Sequence, residues 1–162
     1  MPLTPLGIVH TVVGIAAIIS LIMCLVKYKH ITLKSRAGKI YLLATLITAA
    51  SALGIFQHGG FNAAHLLGIL TLLAVIVGWL LSFFRLFGKL TPYFQLTAYS
   101  STILFHALPT ATEIMTRFPP SSPIVSGLDD PLLQKTFLII LCVFVIFLLW
   151  QLNWLRNKRK YE

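Results

Sequence analysis

The chain has 162 residues, 57% of them hydrophobic and 10% charged, with a mean hydropathy of +0.88. A soluble domain of this length cannot hide so much apolar surface, so lipid is the expected solvent. The net charge of +9, from 13 Lys and Arg against 4 Asp and Glu, falls in short clusters between apolar runs. That pattern points to anionic headgroups at the cytoplasmic face and to membrane topology, and not to nucleic acid.

Five apolar runs approach the ~20 residues needed to cross a bilayer. They are Leu6 to Val26, Ile40 to Gln57, Ala63 to Phe84, Thr91 to Leu108 and Leu132 to Trp154. The first has no basic residue before Lys27 and is too long for a signal-peptide core, so it reads as a membrane helix. The fourth is shorter and more polar than the others. Gly59-Gly60 forms a tight turn between the second and third. Asp129-Asp130-Pro131 marks a helix start, with Asp130 as N-cap and Pro131 at the first helical position.

Between Pro109 and Asp130 lies the main non-spanning stretch. Thr110 and Glu113 have capping-box spacing, which predicts a short helix over 110–117 on the outer surface. Pro119-Pro120-Ser121-Ser122-Pro123 follows as an irregular connector. No repeat or second domain is visible, so 1–162 reads as one all-α membrane bundle.

Of the 13 basic residues, all but Arg117 and Lys135 fall in the first loop, the third loop and the C-terminal tail. With five spans these three regions share one side. The positive-inside rule then puts the N-terminus outside and the C-terminus in the cytoplasm. Trp79, Trp150 and Trp154 read as anchors at the inner interface, and Lys135 as a residue that snorkels at the outer one.

On this topology four histidines from four helices share the outer end: His10, His58, His65 and His106. Only His30 is inside. One turn deeper stand Gly14, Gly54, Gly68 and Thr102, each at a three- or four-residue offset that keeps the helix face. These small residues predict a pocket under the histidines. Gln95, Tyr99, Thr102 and His106 continue a polar stripe on the fourth span, which should face the bundle interior.

Imidazole ligates haem iron and transition metals alike. A haem b would use two of the four histidines. A Cu, Zn or Fe site would use three or four, with Glu113 as a further candidate ligand. Either occupant would serve electron transfer or metal handling, with quinol or a protein as redox partner. The competing reading is an accessory or assembly subunit without cofactor, whose polar stripe and outer helix contact other proteins. Glu113 and Arg117, at i and i+4, also suit a plain surface ion pair. Cys24 and Cys142 have no metal-site spacing and read as two buried free thiols. The sequence contains no GxSxG, P-loop, HExxH or GxGxxG pattern.

Two stretches carry a resemblance. Lys34-Ser35-Arg36-Ala37-Gly38-Lys39-Ile40-Tyr41 resembles the His-Arg-x-x-Gly-Arg-x-Tyr entry of an uncharacterised family of bacterial multipass membrane proteins. Here Lys34, Ser35 and Lys39 replace its histidine and two arginines. Phe105-His106-Ala107-Leu108-Pro109 through Thr112-Glu113 to Pro119 looks like a segment of bacterial membrane proteins. The resemblance implies a bacterial inner-membrane location. The layout of histidines on four helices is similar in outline to small cytochrome b-type proteins, an arrangement that implies no particular ligand pair.

Overall fold

A computed structural model describes residues 4–56 and 60–160. Among these residues the regular structure is helical: α1 Pro5–Tyr28, α2 Arg36–Ala52, α3 Ala63–Phe83, α4 Thr91–Arg117 and α5 Pro131–Lys160. Three of them, α1, α3 and α5, are long and apolar enough to cross a membrane. α2 and α4 are shorter or more polar.

The chain is built inside out. Thr45, Thr48, His65, Thr71, Ser100, Thr102 and Gln151 are buried, while Val12, Val26, Leu43, Val143 and Ile146 are exposed by 60% or more. Water would reverse that arrangement; lipid stabilises it, because buried polar groups find partners and exposed apolar ones meet acyl chains.

The chain divides into two compact units, Met1–Thr102 and Ile103–Glu162. In the first, α2 packs on both α1 and α3. The second comprises the end of α4, the connector and α5. The connector is fastened locally, with Ile124 N–H donating to Phe118 O and Val125 N–H to Met115 O.

Helix ends follow from their caps. Thr4 Oγ1 accepts from Gly7 N–H at 3.1 Å, with Pro5 at the first helical position. α1 closes on Lys29, in the left-handed region at φ 64°, whose N–H reaches Leu25 O at 2.8 Å. α2 starts at Arg36 rather than Ile40, because Ser35 Oγ accepts from Gly38 N–H at 2.9 Å. Arg36 and Lys39 are therefore helical, not loop. At α5 the expected start is found: Asp130 Oδ1 accepts from Leu132 N–H at 2.9 Å, and Pro131 follows.

The separate outer helix over 110–117 is not formed. Those residues are the last turns of α4, which runs through Pro109 without ending. Proline has a helix-compatible φ and withholds one amide, so the helix loses a hydrogen bond without having to stop. Thr110 is not an N-cap: its hydroxyl donates back to His106 O at 2.7 Å, and Thr112 does the same to Leu108 O at 3.0 Å.

The stretch from Lys34 to Tyr41 has a packing logic of its own. A Cβ on Gly38 would run into the carbonyl oxygen of Thr32, and would lie 2.9 Å from Ser35 Oγ. Glycine is required there by the close approach of the preceding turn to α2. Cys24, fully buried, donates to His30 O at 3.4 Å and lies 3.6 Å from Ser35 Oγ, so the same corner closes over the thiol.

Candidate functional site: the outer-end histidines

His10 sits in the second turn of α1 and faces α2. Its Nδ1 lies 3.0 Å from Thr48 O and 3.0 Å from Ser51 Oγ. The Ser51 hydroxyl itself donates to Thr48 O at 2.9 Å. A backbone carbonyl only accepts, so a ring bonded to Thr48 O carries its proton on Nδ1, and Nε2 becomes the lone-pair nitrogen.

His65 opens α3 and is 2% exposed. It is the third residue of a capping box: Asn62 Oδ1 accepts from Ala64 N–H at 3.0 Å, and His65 Nδ1 lies 3.3 Å from Asn62 N and 3.1 Å from Asn62 Oδ1. The rings of Phe56 and Phe61 flank the imidazole, with centroids at 4.6 and 5.3 Å. Nε2 is buried and has no hydrogen-bond partner. Among the described residues one other buried side-chain atom shares that state, Thr48 Oγ1 in the C-terminal half of α2. Buried polar atoms without partners are rare in folded proteins, which sets these two apart.

His58 lies outside the described residues. His106 is in the second unit, Ile103–Glu162, whereas His10 and His65 belong to the first. Among the described residues no three His, Cys, Asp or Glu side chains are grouped to hold a metal ion. The carboxylate of Glu113 is engaged by Arg117, with Arg117 Nε 2.6 Å from Oε2, so the surface ion pair is the observed role.

The pocket expected beneath the histidines is replaced by helix packing. A Cβ on Gly14 would touch Thr48 Cγ2 at 3.6 Å. On Gly54 it would meet Leu6 Cδ2 at 3.0 Å, and on Gly68 it would meet Leu53 Cδ2 at 3.2 Å and Ala49 O at 3.3 Å. These glycines let α1 and α3 approach α2, the usual use of small residues between membrane helices.

Tyr99 and Thr102 are both buried. The Tyr99 ring lies flat on Gly78 of α3, where a Cβ would overlap it, and its hydroxyl is 3.2 Å from Ser82 Oγ. Gln95 Nε2 donates to Ser82 Oγ and, at 3.3 Å, to Gly78 O. Thr102 Oγ1 donates to Tyr99 O at 2.6 Å and pairs with the Tyr41 hydroxyl of α2. Gln95, Tyr99 and Thr102 thereby tie α4 to α2 and α3.

Sequence reasoning passed over Thr48, Ser51 and Asn62, the groups that hold His10 and His65. Thr45, Thr48 and Ser51 repeat every three residues along α2, and Asn62-x-x-His65 has capping-box spacing. Both signals are visible without coordinates. No known protein family, characterised protein or solved structure matches the chain.

Proposed function

We propose that the chain is a five-span bacterial inner-membrane protein, N-terminus outside and C-terminus in the cytoplasm. In this reading the outer ends of α1–α3 bind a transition metal through His10, His58 and His65, for electron transfer or metal handling. The observation that carries the reading is the buried, partnerless Nε2 of His65. Its support is the matching chemistry of His10: in both rings Nδ1 bonds to protein, the usual way an imidazole is oriented so that Nε2 can ligate.

Of the two occupants, an ion suits the region better than haem b. The space beside the glycines that would have admitted a macrocycle is taken by Leu6, Thr48, Leu53 and the Ala49 carbonyl. Imidazole donors favour Zn, Cu(II), Ni or Fe over ions that prefer sulfur or oxygen. The basic clusters, on this topology, face anionic headgroups and fix orientation. The accessory-subunit reading is weakened by the polar stripe of α4, since Gln95, Tyr99 and Thr102 are spent on bonds inside the first unit.

The test is to purify the protein in mild detergent, assay bound metals and record the visible spectrum. Stoichiometric Zn, Cu or Fe, lost in His10→Ala, His58→Ala and His65→Ala but kept in His106→Ala, is the expected result. A Soret band would replace the ion with haem b. A colourless protein that holds no metal and takes none up on titration would leave the accessory reading.

A further inference from the structure

The first unit, Met1–Thr102, carries charge of one sign at one end. No Asp or Glu stands before Glu113, and the Lys and Arg before it are Lys27, Lys29, Lys34, Arg36 and Lys39, then Arg85 and Lys89. Helix contacts bring both groups to the same end. Cys24 meets Ser35 where α1 turns into α2, and Gly68, near the start of α3, faces Ala49 and Leu53, near the end of α2. α3 therefore runs antiparallel to α2 and finishes at the end where α2 begins.

The link from α3 to α4 at that end is apolar, ordered and uncovered. Phe83, Phe84, Leu86, Phe87 and Leu90 are each more than half exposed. Their backbone is nonetheless closed on itself. Phe84 N–H donates to Leu80 O at 3.0 Å, Gly88 N–H to Arg85 O at 3.1 Å, Leu90 N–H to Phe87 O at 3.0 Å and Phe87 N–H to Thr91 Oγ1 at 3.1 Å. Gly88, at φ 53°, makes a reversal that a side chain would strain. A turn surrounded by water rarely presents so many large apolar side chains together. Here they continue the exposed face of α3 at Leu73, Ile76 and Trp79, the face offered to acyl chains. Arg85 and Lys89 are exposed among them, and the unit holds no carboxylate side chain.

We propose that the segment 84–90 is an interfacial anchor for anionic phospholipid: Phe84, Leu86, Phe87 and Leu90 enter the acyl layer, and Arg85 and Lys89 hold lipid phosphates. The inference rests on the membrane reading of Proposed function and not on its metal site. The two side-chain classes need a boundary between an apolar and an anionic phase, and a bilayer surface is that boundary. Lipid-exposed irregular backbone is kept out of the hydrocarbon core, which fixes the segment at headgroup depth. The bonded amides of Phe84, Phe87, Gly88 and Leu90 let it sit there without stranding those donors. A soluble acidic partner fits less well, since the apolar side chains run without a break into the lipid-facing side of α3. The basic pair thus does more than fix orientation; it selects the lipid.

The test uses the full-length protein in phosphatidylcholine vesicles that contain some phosphatidylglycerol. The native tryptophans are replaced (Trp79→Phe, Trp150→Phe, Trp154→Phe) and Leu86→Trp supplies the one fluorophore. Quenching by acyl-brominated lipid reports insertion, and comparing the brominated forms of the two lipids gives the preference at the loop. The Leu86→Trp fluorophore should be quenched by both and more strongly by the anionic one. Arg85→Gln should cut that preference ~5-fold, since one basic residue near an anionic surface contributes ~1 kcal/mol. High salt should cut it as well. Leu73→Trp in the same background, on the exposed face of α3, should be quenched equally by the two lipids. Without any tryptophan change, lipid retained through mild extraction and read by native mass spectrometry should be enriched in phosphatidylglycerol, and less so in Arg85→Gln.

A Leu86→Trp fluorophore that brominated chains leave unquenched, whether iodide reaches it from water or a protein surface shields it, would overturn the anchor. Equal quenching by the two lipids, or a preference and retention unchanged in Arg85→Gln, would overturn the anionic recognition. Either failure leaves the five-span reading and the metal site standing. An inverted topology would leave the anchor standing, because these vesicles carry anionic lipid in both leaflets.

Discussion

Replacing Gly38 by alanine is a one-carbon change that the corner between α1 and α2 has no room for. The new Cβ would overlap Thr32 O and lie 2.9 Å from Thr32 C and from Ser35 Oγ. The obstacle is backbone, so no rotamer change relieves it, and the Thr32–Ser35 turn must move away from α2. Forced overpacking of this kind costs ~1–3 kcal/mol. Moving the turn also pulls Ser35 Oγ off Gly38 N–H, and loss of such a cap costs about 1 kcal/mol. Alanine returns about 1 kcal/mol through its better helix propensity. The net expectation is a loss of about 2 kcal/mol, near the middle of the overpacking range. Unfolding by denaturant in detergent micelles measures it. Cys24, sealed under the same turn, gives a second readout: in a Cys142→Ser background its alkylation should accelerate in Gly38→Ala. Gly127→Ala, whose Cβ would meet nothing within 4 Å, is the control and should stay within ~0.5 kcal/mol of wild type. Gly38→Ala as stable as that control, with Cys24 still protected, would refute the close-approach reasoning.

Three further outcomes are expected. Gly78→Ala should destabilise the packing of α4 on α3 by ~1–3 kcal/mol, and combining it with Tyr99→Leu should cost less than the sum, because the ring it strikes is gone; additive effects in a double-mutant cycle would contradict the contact. Asp130 is held below the ordinary carboxylate range by the N–H of Leu132 and then of Ser126, so its cap is complete above the usual Asp value, ~3.9, and fades as pH falls through the lowered one. Amide exchange at Leu132 should therefore speed up in that acid window in the wild type and stay flat in Asp130→Asn; identical profiles would count against the cap. For topology, in a Cys24→Ser, Cys142→Ser background, a membrane-impermeant maleimide should label Ser122→Cys in intact cells and Lys158→Cys only after permeabilisation, and the reverse pattern would invert the proposed orientation.

How much was legible depended on which force decided each element. α1, α3 and α5 were visible because lipid-facing helices are apolar over their whole length. The start of α5 was visible because Asp130-Pro131 is local chemistry. At Pro109 the sequence suggests a stop, but α4 runs on, because proline keeps a helix-compatible φ and withholds only the N–H that Phe105 O would accept. The small residues beneath the histidines were correctly seen to be unusual, but a gap in one helix and a contact from its neighbour look the same in sequence. Only the position of α2 against Gly14 and Gly68 decides between them. His65 was found by depth, whereas its hold on Asn62 was hidden in a capping-box spacing that was not sought there.

The bonds that hold α2 and α4 in the fold have a consequence for how the protein is made. On the five-span topology, these are the two helices too polar or too short to partition into lipid on their own merits. The side chains that make them reluctant are the ones that pair within the fold: Tyr41 with Thr102, Ser51 and the Thr48 carbonyl with His10, Gln95 and Tyr99 with Ser82. Each reluctant helix emerges from the ribosome directly after a willing one that carries partners for it, α2 after α1 and α4 after α3. Insertion would then proceed in hairpins, and a ribosome stalled between the two halves of a hairpin would leave a willing helix in the membrane with its polar sites exposed to lipid.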